Sequence, residues 1–517
     1  MTTVDAFMIN LGILNFLVGV PLAFTTALFL FPGLNVPVAF LLGFFASVPF
    51  ALIYIQMGAS MPRSGGDYAW VSRTLHPALG FMTSFSLYFI SFYCCMSAIS
   101  YTFSTFFLSS SFAVLAAFTG NHTLASLSTL TGEPVVGFSI AVALLALMAI
   151  ISASGIQILR YTFYILTILF LAGSFTIMGV LATTSHAAYI ADFNTYSSGL
   201  GSTFQGVIDA ATKAGWSPVN NPLSAVAALP VTLISYGGFT YASYAAGEIR
   251  HADKALNRSI FGALILGLAL WAGTGFLLFS TVGSTWMNAA AYLANAAPAA
   301  NPLTVSPDII MGIGVIVVSN PFLWWTIIIG FVAAYLIFMP SYFQVLTRAI
   351  FAWSFDRMAP SWLSDVNTKT HTPIKAIIVT FFIAVAFCAV WAFGTLATTY
   401  INSTIAWTAI FLIPSIAAMV FPFRKKELFN NAPDITKKKI VGVPVVSLAG
   451  ASLFVLLMIA IVYGYLTPAF SGPTTLPAIL VSCSFFVLGL VVFYAVRAYR
   501  KSQGIDMDRI YREIPPE

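Results

Sequence analysis

Long apolar runs separated by short polar connections make up most of the chain. A hydrocarbon core about 30 Å thick takes about 20 residues of helix to cross. On that length the pattern predicts twelve helices, at roughly 9–31, 37–60, 77–108, 134–154, 157–182, 225–248, 258–283, 321–353, 374–393, 397–421, 444–466 and 475–498. The third and eighth are long enough to tilt strongly or to project past the bilayer. Two of the runs interrupt themselves. The first contains NFLVGVPLAF (15–24), where Pro21 lacks an N–H and Gly19 admits non-helical dihedrals. The sixth contains Tyr236-Gly237-Gly238-Phe239 at a similar depth.

Either interruption alone is accounted for by an ordinary kink or a close-packing point, since Gly and Pro are common in membrane helices. Their positions add something. They open two successive five-helix units, 1–192 and 193–425, that start on opposite sides of the membrane; 426–517 then holds helices eleven and twelve and a tail. Inverted units with paired broken helices point to a binding site near the midplane. An unwound stretch frees N–H groups that suit a carboxylate and carbonyls that suit an ammonium or a metal cation. Backbone alone can therefore hold a zwitterion. No Asp, Glu, Lys or Arg falls at a helix centre, where a charge would cost at least about 2.5–3.5 kcal/mol, and this favours a neutral substrate.

Composition agrees with a polytopic membrane protein: 59% of the 517 residues are hydrophobic and 7% charged. Charge sets the orientation. With the N-terminus inside, all but one of the 22 basic residues fall in cytoplasmic connections or the tail, Lys213 being the exception. Both termini are then cytoplasmic and the plasma membrane is the expected location. The net charge of +6, with RKK at 424–426 and KKK at 437–439, reads as topology and attraction to anionic lipid rather than nucleic-acid binding. The sequons at Asn121 and Asn402 fall on the outer side. The first residues, MTTVDAFMIN, have no basic start, so a cleaved signal peptide is not expected. The four cysteines lie in apolar runs and the five histidines in or beside connections, so no metal site, haem or other cofactor is expected. Paired aspartates, a Ser/His dyad and H-E-x-x-H are absent from the spans, which argues against an intramembrane enzyme.

Three stretches resemble the amino acid–polyamine–organocation permeases. MPRSGGDYAWVSRTLHPALGF (61–81) is similar to their second-to-third-helix segment, and TRAIFAWSFDRMAPSWLSDVNTKTHTP (347–373) to their eighth-to-ninth. SYGGFTYASYAAGEIRHADKA (235–255) is similar to their sixth helix and its exit. The resemblance covers about the first 420 residues. It implies an all-α fold of the leucine-transporter type, with a 5+5 inverted repeat and broken helices one and six. It implies a secondary active transporter moving an amino acid by alternating access; an exchanger, a membrane sensor of the same fold and a polyamine or other amine transporter remain alternatives.

By that resemblance Val18, Gly19 and Val20 meet the substrate carboxylate, and Ser235, Tyr236, Gly237 and Gly238 meet its amino group. Tyr93 is a candidate for the side-chain pocket. The first helix reads Leu17-Val18-Gly19 where the family has a glycine pair. Pro340-Ser341 is expected to break the eighth helix where sodium-coupled members place a hydroxyl against first-helix carbonyls. That makes Gly19 and Ser341 the candidates for cation coupling, with Na⁺ or H⁺ as the ion; the ordinary reading of Ser341 is a hydroxyl bonded to its own helix. Glu248 paired to Arg63 or Arg348 is a candidate cytoplasmic gate, against the plain reading of interfacial charges, Asp67 among them.

Overall fold

The computed structural model describes residues 1–14, 16–21, 24, 26–197, 202–303, 309–394, 400–466 and 475–511. Among them, ten helices are long and apolar enough to cross a membrane, and the protein is a multi-pass, predominantly helical membrane protein with one short hairpin, Lys439–Ile440 paired with Val443–Pro444. These ten correspond to every predicted run except the first and the sixth. In the first the described helices are Thr3–Leu14 and Phe16–Pro21, Asn15 between them lying outside the described residues, and the sixth divides into an α-helix, Leu229–Tyr236, and a 3-10 stretch, Gly237–Tyr244.

Proline and a polar cap start several spans. Asn35 accepts the Val38 N–H at 3.1 Å ahead of Val36–Ser60, and Asn320 accepts that of Leu323 at 3.3 Å ahead of Pro321–Phe355. Proline in the first turn costs nothing there, because its missing N–H has no partner to lose. The third run continues from Pro77–Ser91 through two π-helical turns, Phe92–Met96 and Phe103–Leu108, to Thr119. The seventh, Ala252–Asn295, likewise carries two π turns and extends past both predicted ends.

The eighth run corrects an expectation. It is one α-helix of 35 residues with Pro340 inside it. The proline removes one ladder bond, but the helix packs along the fifth segment, Ile156–Thr183, so closely that a Cβ on Gly173 would sit 2.7 Å from the Gly330 Cα. Small residues letting two backbones touch are the usual glue between membrane helices.

Short helices cover the face away from most lysines and arginines: His122–Gly132, His186–Ser197, Phe204–Lys213 and Ser284–Asn295. Asn121 caps the first of these, accepting the Thr123 N–H at 2.9 Å. Asn402 lies in the helix Tyr400–Ile410, its side chain outside the described residues. The opposite, basic face gathers the 61–76 connection, the end of the sixth segment, the end of the eighth and the C-terminal stretch. Arg500 there donates to the Arg357 carbonyl at 3.0 Å.

Candidate functional site

The first and sixth segments cross with their backbones in contact. A Cβ on Gly238 would run into the backbone of Ile13 and Leu14. Close by, the Asn10 side chain accepts the Ala242 N–H at 2.7 Å, an anchor from the first segment to the sixth that patterning alone did not reveal. Winding changes at this crossing. The Gly237 N–H bonds the Ile234 carbonyl, one residue nearer than in an α-helix, which takes from the Leu233 carbonyl its usual donor.

The sixth segment therefore tightens at its glycines where unwinding was expected. Gly19 lies inside the helix Phe16–Pro21, so the break expected there is not present; Asn15, one turn earlier, is outside the described residues. The physical reason is packing. Trp271 of the seventh segment fills the space a Cβ on Gly19 would take, and Trp407 does the same at Gly237. Trp271 stacks on Phe40 at 4.6 Å and meets Phe16 edge-on at 5.2 Å. Trp407 meets Phe411 edge-on at 4.5 Å.

The other residues singled out in the sequence are placed as follows. Val18 is buried, and Val20 is in the same helix with its side chain outside the described residues. Tyr236 donates to the Phe40 carbonyl at 3.1 Å, and Ser235 to that of Val231 at 2.8 Å. Tyr93 sits in a π turn, its ring against Phe387 and Trp391 of the ninth segment. Ser341 donates to its own Ile337 carbonyl at 2.9 Å, and the first-segment residue it abuts is Gly12.

Around the crossing, several buried polar atoms lack a partner among the described residues. Asn10 Nδ2, Thr240 Oγ1, Ser243 Oγ, Trp271 Nε1 and Trp407 Nε1 have no hydrogen-bond partner among the described residues. Each such orphan costs about 1–3 kcal/mol, so their clustering marks a place where stability is given up.

At the basic face the end of the sixth segment is tied down. Arg348 grips Glu248 with two bonds, 2.7 Å from Nε and 2.8 Å from Nη2, and also meets Gln344. The expected pair forms with Arg348; Arg63 donates to the Pro62 carbonyl at 3.0 Å. The Met1 ammonium donates to the Glu248 carbonyl at 2.6 Å. The SGGD turn wedges in beside it: Ser64 and Ala245 form an antiparallel bridge, and the Gly65 N–H donates to the Tyr244 carbonyl at 3.0 Å. Gly65 and Gly66 have φ of 95° and 55° and press on Ala352 and the Tyr244 ring, so neither position has room for a side chain. Asp67 accepts from the hydroxyls of Tyr54 and Tyr244, both at 2.8 Å.

A second tie joins the two most family-like motifs. Arg73 and Asp356 form a buried bidentate pair, both bonds 2.7 Å, with Tyr511 packed 5.1 Å over the guanidinium. By charge alone Arg73 is a topology marker; the signal for the pair is its place, with Asp356, inside the two quoted motifs. At the start of the first segment Asp5 meets Arg160 at 2.9 and 3.0 Å. Burial alone would push the Asp5 carboxyl up, but bonds from Thr2, Arg160 and Tyr164 outweigh it and hold it below the usual range.

Among the described residues no group of three or more His, Cys, Asp or Glu side chains could hold a metal ion. No curated protein matches the chain. The family model described as amino acid permease matches residues 1–496, nearly the whole length, and the chain belongs to that family.

Proposed function

We propose that the protein is a secondary active transporter that carries a neutral amino acid across the plasma membrane by alternating access. The basic face and both termini lie in the cytoplasm, the spans number twelve, and segments one to five (1–192) and six to ten (193–425) form inverted repeats. The observation that carries this reading is the change of winding at Gly237, where the sixth segment crosses the first. A freed carbonyl and a cluster of unpaired buried donors and hydroxyls at such a crossing suit a zwitterion. The substrate ammonium meets the Leu233 carbonyl, and its carboxylate meets the short helix Phe16–Pro21 at Val18, Gly19 and Val20. In the closed form described here Trp271 and Trp407 occupy the space beside Gly19 and Gly237. Substrate enters as these indoles withdraw, and the 3-10 stretch relaxes with them. Glu248 and Arg348 hold the cytoplasmic exit shut until then.

Purified protein in liposomes, offered labelled neutral amino acids under imposed sodium or proton gradients, tests the reading. Gradient-dependent accumulation is the expected result. Counterflow without accumulation would make the protein an exchanger. Absence of both for every amino acid would overturn the proposal.

A further inference from the structure

Asp67 stands apart from the ion pairs of the basic face. Its carboxyl is wholly buried, at 0% exposure, and its two oxygens accept from Tyr54 and Tyr244, donors that carry no charge. The arginines of the surrounding elements are committed elsewhere. Arg73, on the same short helix, holds Asp356, Arg348 of the eighth segment holds Glu248, and Arg63 donates to the Pro62 carbonyl. Among the described residues, the other titratable groups facing this corner are tyrosines. Tyr241 of the sixth segment packs edge-on to Tyr244 at 5.5 Å, and Tyr68 is bonded to Tyr511 at 3.1 Å. The tenth segment, packed on the helix Asp67–Thr74, brings only Arg424, at its exposed end.

A buried carboxylate with no cation is costly, and taking up a proton removes the cost. Burial pushes the Asp67 carboxyl up to about 6, against the pull of the two tyrosine hydroxyls and the Tyr68 N–H. Its position gives that proton a mechanical meaning. Tyr54 belongs to the second segment and Tyr244 ends the 3-10 stretch, so the carboxyl fastens the inner end of the sixth segment to a neighbouring span. The same 3-10 stretch carries the unpaired hydroxyls of Thr240 and Ser243, leading from the Gly238 crossing towards Tyr244.

We propose that Asp67 is a proton-binding site, loaded while the inner end of the sixth segment is held and emptied into the cytoplasm when that end opens. The proton is then the coupling ion of the transport proposed above, on which this inference rests. On loading, H⁺ adds to one carboxyl oxygen, and the tyrosine that had donated to that oxygen turns to accept the new O–H. On opening, water reaches the carboxyl, and the proton leaves to it. The sign follows from linkage. A hydrated aspartate returns to about 3.9, so the closed form binds the proton more tightly. The proton's hold on the closed form is complete below about pH 4 and is lost as pH rises through about 6. Two units of difference correspond to roughly a hundredfold in the closed-to-open ratio.

Two measurements test this in the full-length protein. In proteoliposomes with an inward proton gradient, Asp67→Asn should lower the ratio of gradient-driven accumulation to counterflow on the order of tenfold or more. In lipid nanodiscs without substrate, the opening of residues 244–250, read as their hydrogen exchange divided by the intrinsic chemical rate at each pH, should rise on the order of tenfold between about pH 5 and about pH 8, and stay flat in Asp67→Asn. Tyr244→Phe removes one bond to the ionised carboxyl, so the midpoint of that rise should move upward. Should Asp67→Asn fail to fold, the Tyr244→Phe midpoint decides. Transport together with pH-independent exchange, or an unmoved midpoint, would overturn the assignment and leave the transport reading intact. A titrating segment in a protein that moves no amino acid would overturn transport and leave the proton site.

Discussion

The two faces of the molecule are held by different forces. Every ion pair found among the described residues lies on the basic face, including the buried Arg73–Asp356 and the half-exposed Glu248–Arg348. The far face is held by rings and neutral hydrogen bonds. Phe193, Phe204 and Trp286 pack together with centroids 5.2–5.9 Å apart, His186 donates to the Thr281 carbonyl at 2.8 Å, and Ser224 to that of Pro32 at 2.7 Å. Apolar packing gives stability that varies smoothly with area. Charged ties have sharp geometry, and their net worth changes once water reaches them. A face that must release on cue is better served by the second kind.

The largest effects should fall on each face's central contact, and they should differ in how they can be repaired. On the far face, Trp286→Ala removes a nearly buried indole stacked on Phe204 and should destabilise by about 3–5 kcal/mol. Another aromatic residue should recover most of the loss in thermal unfolding. On the basic face, Arg73→Ala leaves Asp356 buried and unpaired, at a cost of about 3–5 kcal/mol. Here the informative repair is the double variant Arg73→Met, Asp356→Leu. Recovery of stability with altered transport would separate holding from switching; recovery of both would make the pair plain structure.

Much of this organisation was legible in the chain. A period of about 20 apolar residues locates spans because a bilayer leaves the backbone no alternative to helix. Ten of the twelve predicted runs contain helices long enough to span; the other two are the first, part of which lies outside the described residues, and the sixth, which changes winding at Gly237. What the glycines of these two do was not legible. Gly19, Gly237 and Gly238 each permit either unwinding or close approach, and the choice depends on Trp271, Trp407 and the Ile13–Leu14 backbone, which are distant in sequence or carry no signal of contact. Pro340 misled for a related reason: a proline's cost is local, while the packing that offsets it comes from the fifth segment. The Glu248–Arg348 pair was foreseeable from charge placement; the Asp67 tyrosines were not, because Tyr54 and Tyr244 look like any aromatic residue in a span.

The crossing lies between the two faces, and a methyl group probes it. Gly238→Ala places a Cβ against main chain, which cannot swing aside as a side chain would. Overpacking of this kind costs about 1–3 kcal/mol. Unfolding should register that modest loss, while counterflow should fall much further, because both segments must slide here. If stability and counterflow fell in proportion, the crossing would be a fixed weld and not a moving contact.

The smallest change in stability should come from the contact closest to the proposed exit. Glu248→Gln keeps the shape and removes the charge facing Arg348. The Glu248 side chain is 42% exposed, so the pair should contribute no more than about 1 kcal/mol. Yield and melting temperature should hardly move. Transport is different, because a gate near balance between closed and open responds to small biases: about 1 kcal/mol shifts such an equilibrium roughly fivefold. The rate should therefore change by more than the amount of folded protein, and high salt should mimic part of the effect in the wild type by screening this partly exposed pair. Trp286→Ala, on the face without ion pairs, should show no such mimicry. Equal loss of yield and rate in Glu248→Gln would mean that the pair holds the fold, and the contrast between a switchable face and a packed one would then rest on Arg73 and Asp67 alone.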